Sequence, residues 1–231
     1  MSQLRDVQPM ADQAFDALKA ALQQGVLREG QFLSMPQLIE IIEFPIASVR
    51  EAVKLASSEG LLVTLPKRGV QVMEARPDII RECLDFRMVL DQEGARRRIA
   101  SGDFSGLEML RIQHQDMLDS ALNAGAGDSP LMVIELEVSL HDYLAAGLGN
   151  SHLEKDYAAN RLRIAVIQNT RPFLQARIVT AMEEHLAIMG AMEARDSEAA
   201  AAAIRYHYDQ TLQWWGVAPD QAASNRPASS T

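Results

Sequence analysis

Apolar residues recur at helical spacing from early in the chain: Ala14, Leu18 and Leu22 repeat every four positions, with Phe15 and Val26 alongside. A break at Arg28-Glu-Gly-Gln31 ends that helix, and a short segment over 36–42 puts Leu38, Ile41 and Ile42 on one face. After Glu43-Phe-Pro45, a third amphipathic segment over 47–58 stops at Gly60, a residue type suited to closing a helix. The period then changes. Residues 61–65 and 70–73 are apolar and β-branched, and Pro66-Lys-Arg-Gly69 between them predicts a hairpin with a basic tip. Helix, helix, helix, hairpin is the order of a winged helix-turn-helix.

Beyond residue 77 the pattern predicts no strand. Helical periodicity runs over 78–100, 104–123, 129–147, 150–170, 172–194 and 197–215, interrupted by Gly, Asp, Ser and Pro clusters. The fold class is therefore mainly α: a winged helix-turn-helix over 1–76, then an all-α bundle of about six helices over 77–216. Residues 217–231 are rich in Ala, Ser and Pro without periodicity, as in a disordered tail.

Composition narrows the setting. The longest apolar run, 199–204, is six residues, against the roughly 20 a membrane helix needs. One cysteine, Cys83, allows no internal disulfide, and the opening residues lack the apolar core of a signal peptide, so a reducing cytoplasm is expected. A net charge of −9 argues against nucleic acid until it is localised, because DNA affinity comes mainly from basic side chains meeting phosphates. Residues 1–76 carry 8 basic and 9 acidic side chains, leaving 14 against 22 for the rest, and 44–76 is locally positive by two.

In a helix-turn-helix the second helix enters the major groove and a wing grips the backbone or minor groove. That geometry turns Ala47, Ser48, Arg50 and Lys54 toward DNA, with Lys67 and Arg68 on the wing. From the residues alone, a small helical docking module with solvated charges fits equally well. Gly30-Gln-Phe-Leu33, Ser48-Val-Arg-Glu-Ala-Val53, Ser58-Glu-Gly-Leu-Leu62 and Arg68-Gly-Val-Gln-Val72, however, resemble the winged-helix signature of the GntR family of bacterial transcriptional regulators, over about 8–73. The resemblance implies that Arg50 contacts DNA and that Gly69 lets the wing approach it closely. Where that family usually has Ser-Arg at the start of the recognition helix, this chain has Pro45-Ile46. Proline can open a helix, but a bidentate guanine reader is missing. The operator is expected to differ from the usual one, with weaker or more shape-dependent readout.

All five histidines fall in the acidic half. His141, His185 and His207 sit on apolar helical faces, and Glu137 lies one turn before His141, where an unpaired carboxylate is costly. If 172–194 and 197–215 form an antiparallel hairpin turning near Asp196, His185 and His207 are each 11 residues from the turn. That is about 16 Å along each helix, so the two would face each other. Three His and one carboxylate in a bundle core suit a divalent transition metal. From the residues alone, satisfied core histidines with a paired Glu are the better reading. His114 and His152, beside Gln113, Gln115 and Ser151, read as solvated, and Arg96-Arg-Arg98 as a helix end whose cations complement the macrodipole.

Glu137-Val-Ser-Leu-His141, Gly149-Asn150 with Leu153, Glu184-His185 and Asp196 followed by His207 are similar to the motifs of the FCD ligand-binding domain in FadR-type GntR regulators. The resemblance implies that Glu137, His141, His185 and His207 hold a metal, commonly zinc, and that a small carboxylate effector completes its coordination. The family normally has Asp where Glu137 stands. Arg87, in Phe86-Arg-Met-Val-Leu-Asp91, matches the arginine of the first effector-domain helix and is the expected effector anchor; Asn160 and Arg163 are further effector candidates. Together these readings predict a cytoplasmic, homodimeric, metal-containing repressor that binds a DNA operator and senses a small organic or sugar acid. A metalloenzyme using the same residues and a regulator sensing the metal itself are the alternatives.

Overall fold

A computed structural model describes residues 8–123, 130–171 and 175–217. The tail expected over 217–231, apart from Val217, and the break expected over 125–130, apart from Pro130, lie outside the described residues. Among the described residues there are nine α-helices and one three-stranded antiparallel sheet, and no helix is long and apolar enough to cross a membrane. Contacts divide the chain into two compact units. One gathers the residues up to Ile79 with a segment beginning at Ala158, and the other holds the remainder.

The first unit contains α1 (Met10–Gln23), β1 (Phe32–Leu33), α2 (Met35–Ile42), α3 (Ile46–Ser58), β2 (Leu62–Leu65) and β3 (Gly69–Val72). Its helices bury the faces that the periodicity marks: Leu18 and Leu22 of α1, Leu38 of α2, and Val49, Ala52 and Ala56 of α3. α2 starts where Ser34 and Gln37 form a capping box, the Gln37 side chain accepting from the Ser34 backbone at 2.8 Å. β3 lies in the middle of the sheet, paired with β2 as the pattern predicts and with β1, which it does not. At the hairpin tip the Arg68 amide donates to Leu65 O at 3.0 Å, with Pro66 and Lys67 (φ 63°) between them. Proline followed by a left-handed residue makes this a type II turn.

Among the described residues, every secondary-structure element of the second unit is a helix. The unit is built from α4 (Pro77–Ser101), α5 (Leu107–Leu122), α6 (Pro130–Ala146), the start of α7 (Ser151–Gln168), α8 (Gln175–Glu193) and α9 (Ser197–Trp214). α8 packs against α9, α5 and α6. One apolar cluster joins Met117 and Leu118 of α5 to Val133 of α6 and to Ala181 and Met182 of α8. A second joins Leu90 of α4 to Ala145, Leu148 and Tyr157. Asp196 caps α9 by accepting from the Glu198 and Ala199 amides. α4 and α6 approach so closely at Gly94 that a Cβ there would lie 2.1 Å from Leu144 O. That approach brings the buried face of α4, with Arg87 and Asp91, against His141.

The run Arg96-Arg-Arg98 lies near the end of its helix, which closes at Ser101 with Arg98 in the last turn. Arg98 is buried, donates from Nε to Tyr143 O at 2.9 Å, and stacks over the Tyr143 ring, so its role is structural.

Candidate metal centre and nucleic-acid surface

Glu137 and His141 are one turn apart on α6, and the α8–α9 hairpin brings His185 and His207 to the same level. The His185 and His207 ring centroids are 4.6 Å apart, and each lies 5.3 Å from that of His141. One donor atom from each of Glu137, His141, His185 and His207 falls within 4.8 Å of all the others, and all four residues are buried. Three imidazoles and a carboxylate form a donor set suited to zinc and other divalent transition ions.

The hydrogen bonds behind the rings explain their orientation. His141 Nδ1 is 2.7 Å from Asp91 Oδ2, His207 Nδ1 is 2.7 Å from Glu184 Oε2, and His185 Nδ1 is 3.1 Å from His114 Nε2. Every Nδ1 is thus engaged, while the Nε2 atoms of all three rings are buried without a hydrogen-bond partner. A buried imidazole nitrogen left unpaired costs free energy, and here three such nitrogens converge beside one carboxylate. Burial also drives the imidazoles toward the neutral, ligand-ready form: His141 and His185 lie well below the usual histidine range and His207 falls to about 3. Burial pushes the Asp91 carboxyl up to about 8.

Two arginines complete the centre. Arg87, buried on α4, has Nη1 3.9 Å from Glu137 Oε1 and Nε 4.0 Å from Asp91 Oδ2. Arg177 grips both oxygens of Glu184 at 2.8 and 2.9 Å and reaches Thr211 Oγ1 at 3.0 Å; Thr211 in turn donates to His207 O. Sequence reasoning missed Asp91, His114 and Arg177 as members of this group. His114 is fully buried rather than solvated. Its flanking glutamines misled, whereas its neighbours at helical spacing, Leu110, Met117 and Leu118, are all buried. His152 is exposed as expected.

The other effector candidates are placed differently. Asn160 is buried and Arg163 half-buried, and both belong to the unit that holds the winged helix. The Arg163 guanidinium is committed to Glu59 O, at 2.9 Å from Nε and 2.5 Å from Nη2. It donates to the C-cap carbonyl that follows α3. Asn169 does the same for α1, donating to Leu22 O and Gln23 O.

On α3, Ile46, Ala47, Arg50 and Lys54 are exposed along one side and Ser48 is half-buried. Lys54 is 2.7 Å from Glu51, an exposed pair worth about 0–1 kcal/mol, so phosphates can take Lys54 over. Lys67 and Arg68 are exposed at the wing tip. Gly69 has a structural role beyond the one expected of it. Its φ is +105°, and a Cβ would lie 2.2 Å from Leu33 O, so β1–β3 pairing itself needs glycine.

A winged helix with a basic tip, joined to an all-helical domain, defines a DNA-binding protein of two-domain architecture. The chain matches the family model described as "FCD domain" over residues 82–210 and that described as "Bacterial regulatory proteins, gntR family" over 10–72. It belongs to the GntR family of bacterial transcriptional regulators, in the group that carries an FCD domain, and is a regulator rather than an enzyme. Two relatives named uncharacterised HTH-type transcriptional regulators are each 23% identical to it. YdhC of Bacillus subtilis matches over 87% of this chain and 88% of its own length. BphR of Paraburkholderia xenovorans matches over 90% and 86%. Among solved structures, E. coli McbR/YncC has a TM-score of 0.74 at 16% identity, covering 91% of this chain and 98% of that one. A GntR regulator from Rhodococcus sp. RHA1 has a TM-score of 0.73 at 20% identity, covering 90% and 99%. These likenesses show the fold.

Proposed function

We propose that this regulator is a cytoplasmic homodimeric repressor whose helical domain holds a divalent metal, zinc first, and through it senses a small carboxylate such as an organic or sugar acid. The observation that carries the reading is the convergence of three unpartnered Nε2 atoms beside Glu137, with the Arg87 guanidinium next to that carboxylate. Glu137, His141, His185 and His207 would hold the ion, which supplies a Lewis-acidic docking point for a carboxylate oxygen. Arg87 offers the planar fork that fixes the other oxygen.

Charge supports an anionic effector. The carboxylates of Glu137 and Glu184 and the Asp91 carboxyl face the guanidiniums of Arg87 and Arg177, so a divalent ion leaves the centre with a net positive charge. An effector carboxylate offsets that charge. Effector binding that favours one arrangement of the dimer by about 1–3 kcal/mol would change operator affinity about 5–150-fold.

The test is a thermal-shift screen of metal-stripped and zinc-reloaded protein against small carboxylates. Stabilisation by zinc, and further stabilisation by a carboxylate only when zinc is present, is the expected result. Carboxylate binding without metal would overturn the metal-centred reading, and operator release by metal alone would make the metal the signal.

A further inference from the structure

The three imidazoles of the centre are not backed alike. His141 and His207 lean on carboxylates, but His185 leans on another imidazole, His114, which is fully buried on α5. His114 Nδ1 lies 2.8 Å from Leu110 O. A backbone carbonyl can only accept, so Nδ1 of His114 carries the proton. The Nε2 of neutral His114 is then a bare acceptor, and the 3.1 Å contact must be filled by a proton on His185 Nδ1. That leaves His185 Nε2 with its lone pair on the side of His141 and His207. Each link follows from the polarity of the one before it, starting from a helix carbonyl.

We propose that His114 is a positioning residue of the centre, holding His185 in the tautomer and ring orientation that aim Nε2 at the ion. This role rests on the metal reading above and adds the one support that is itself an imidazole. Its neutrality matters for the effector as well: a carboxylate in place of His114 would reduce the positive charge that a divalent ion leaves. Partners behind a metal-binding histidine typically change metal affinity by about 10–100-fold when removed.

The experiment titrates metal-stripped full-length protein with Zn2+ against a chromophoric chelator, and with Co2+ followed by its visible spectrum. His114→Leu should bind Zn2+ about 10–100-fold more weakly than wild type and shift the Co2+ bands. His114→Gln, whose amide oxygen can accept from His185, should restore affinity and spectrum. Wild-type affinity and an unchanged cobalt spectrum in His114→Leu would overturn the role of His114 while leaving the metal reading intact. Absence of Zn2+ uptake by the wild type would overturn both. Should the Leu variant fail to fold, 15N spectra of the metal-free wild type decide the matter. Protons on Nδ1 of both His114 and His185 are expected, and a proton on Nε2 of His185 would overturn the proposal.

Discussion

The two units treat polar side chains in opposite ways. Among the described residues, the first unit buries two amides, Asn160 and Gln168, but no charged side chain, and the basic groups of α3 and the wing stand in solvent. The helical unit buries Arg87, Asp91, His114, Glu137, His141, Arg177, Glu184, His185 and His207 around one centre. One unit therefore acts through its surface on a large ligand, DNA. The other stores chemistry inside, where low dielectric strengthens every charge and penalises each unpaired atom. Stability in the second unit should depend on the ionisation and pairing of these groups; in the first it should depend on apolar packing and caps.

Acidification breaks this symmetry most. In metal-free protein, burial lowers the affinity of His114, His141, His185 and His207 for protons. The unfolded chain therefore binds more protons once pH drops below about 6.5, and stability falls with pH. Asp91, raised to about 8, opposes this, because the folded chain keeps a carboxyl proton that the unfolded chain releases above about pH 4. Four imidazoles that lose proton affinity outweigh one carboxyl that gains it, so the net effect is destabilisation as pH falls. Denaturation of metal-stripped protein at pH 7 and pH 5 should show a marked loss of stability at pH 5, and hydrogen exchange should rise in α6, α8 and α9 before α1 and α3. A flat profile would mean that the buried rings exchange protons freely with solvent. Next in size is Glu184→Leu, which leaves the Arg177 guanidinium buried and unpaired. A loss of about 3–5 kcal/mol in chemical denaturation is expected.

What was legible in the sequence follows the same division. Periodicity located α1, α2, α3 and the β2–β3 hairpin, because a half-buried element shows its face in its own residues. The counting argument through Asp196 anticipated the meeting of His185 and His207, since a short turn between two helices ties sequence distance to height in the bundle. β1 escaped because two residues, Phe32 and Leu33, have no period. Arg163 escaped because its partner, Glu59 O, is a backbone atom 104 residues away, and no local pattern announces a carbonyl. Asp91 lies one turn from Arg87 on the buried face of α4, so helical spacing did carry that signal once Arg87 had been singled out.

Arg163→Ala is the third test, and its effect should fall on the unit with few buried charges. It removes two charge-assisted bonds to the carbonyl of Glu59, the cap residue after α3, at a half-buried site, and about 1–2 kcal/mol is expected. Arg163→Lys should recover only part, since one ammonium cannot reproduce the fork. The measurement is thermal unfolding together with hydrogen exchange at the end of α3. If Arg163 served an effector instead, stability would be unchanged and only the carboxylate response would be lost.

The smallest effects on folding belong to the wing, where the effects on DNA should be clearest. Lys67→Ala and Arg68→Ala alter exposed side chains of a turn whose shape is set by Pro66 and by Gly69, so each should change stability by no more than about 0.5 kcal/mol. Each should also reduce the slope of log affinity against log salt by about one, because each removes one phosphate partner. Arg50→Ala should instead change which base is preferred at one operator position, by about 1–3 kcal/mol. The start of α3 sharpens the distinction: Pro45 and the exposed Ile46 offer no guanidinium to guanine. Binding-site selection is therefore expected to return half-sites unlike the usual operator of the family. Recovery of that operator at ordinary affinity would show that Arg50 and the wing suffice to read it, and that Ile46 only fits against the groove.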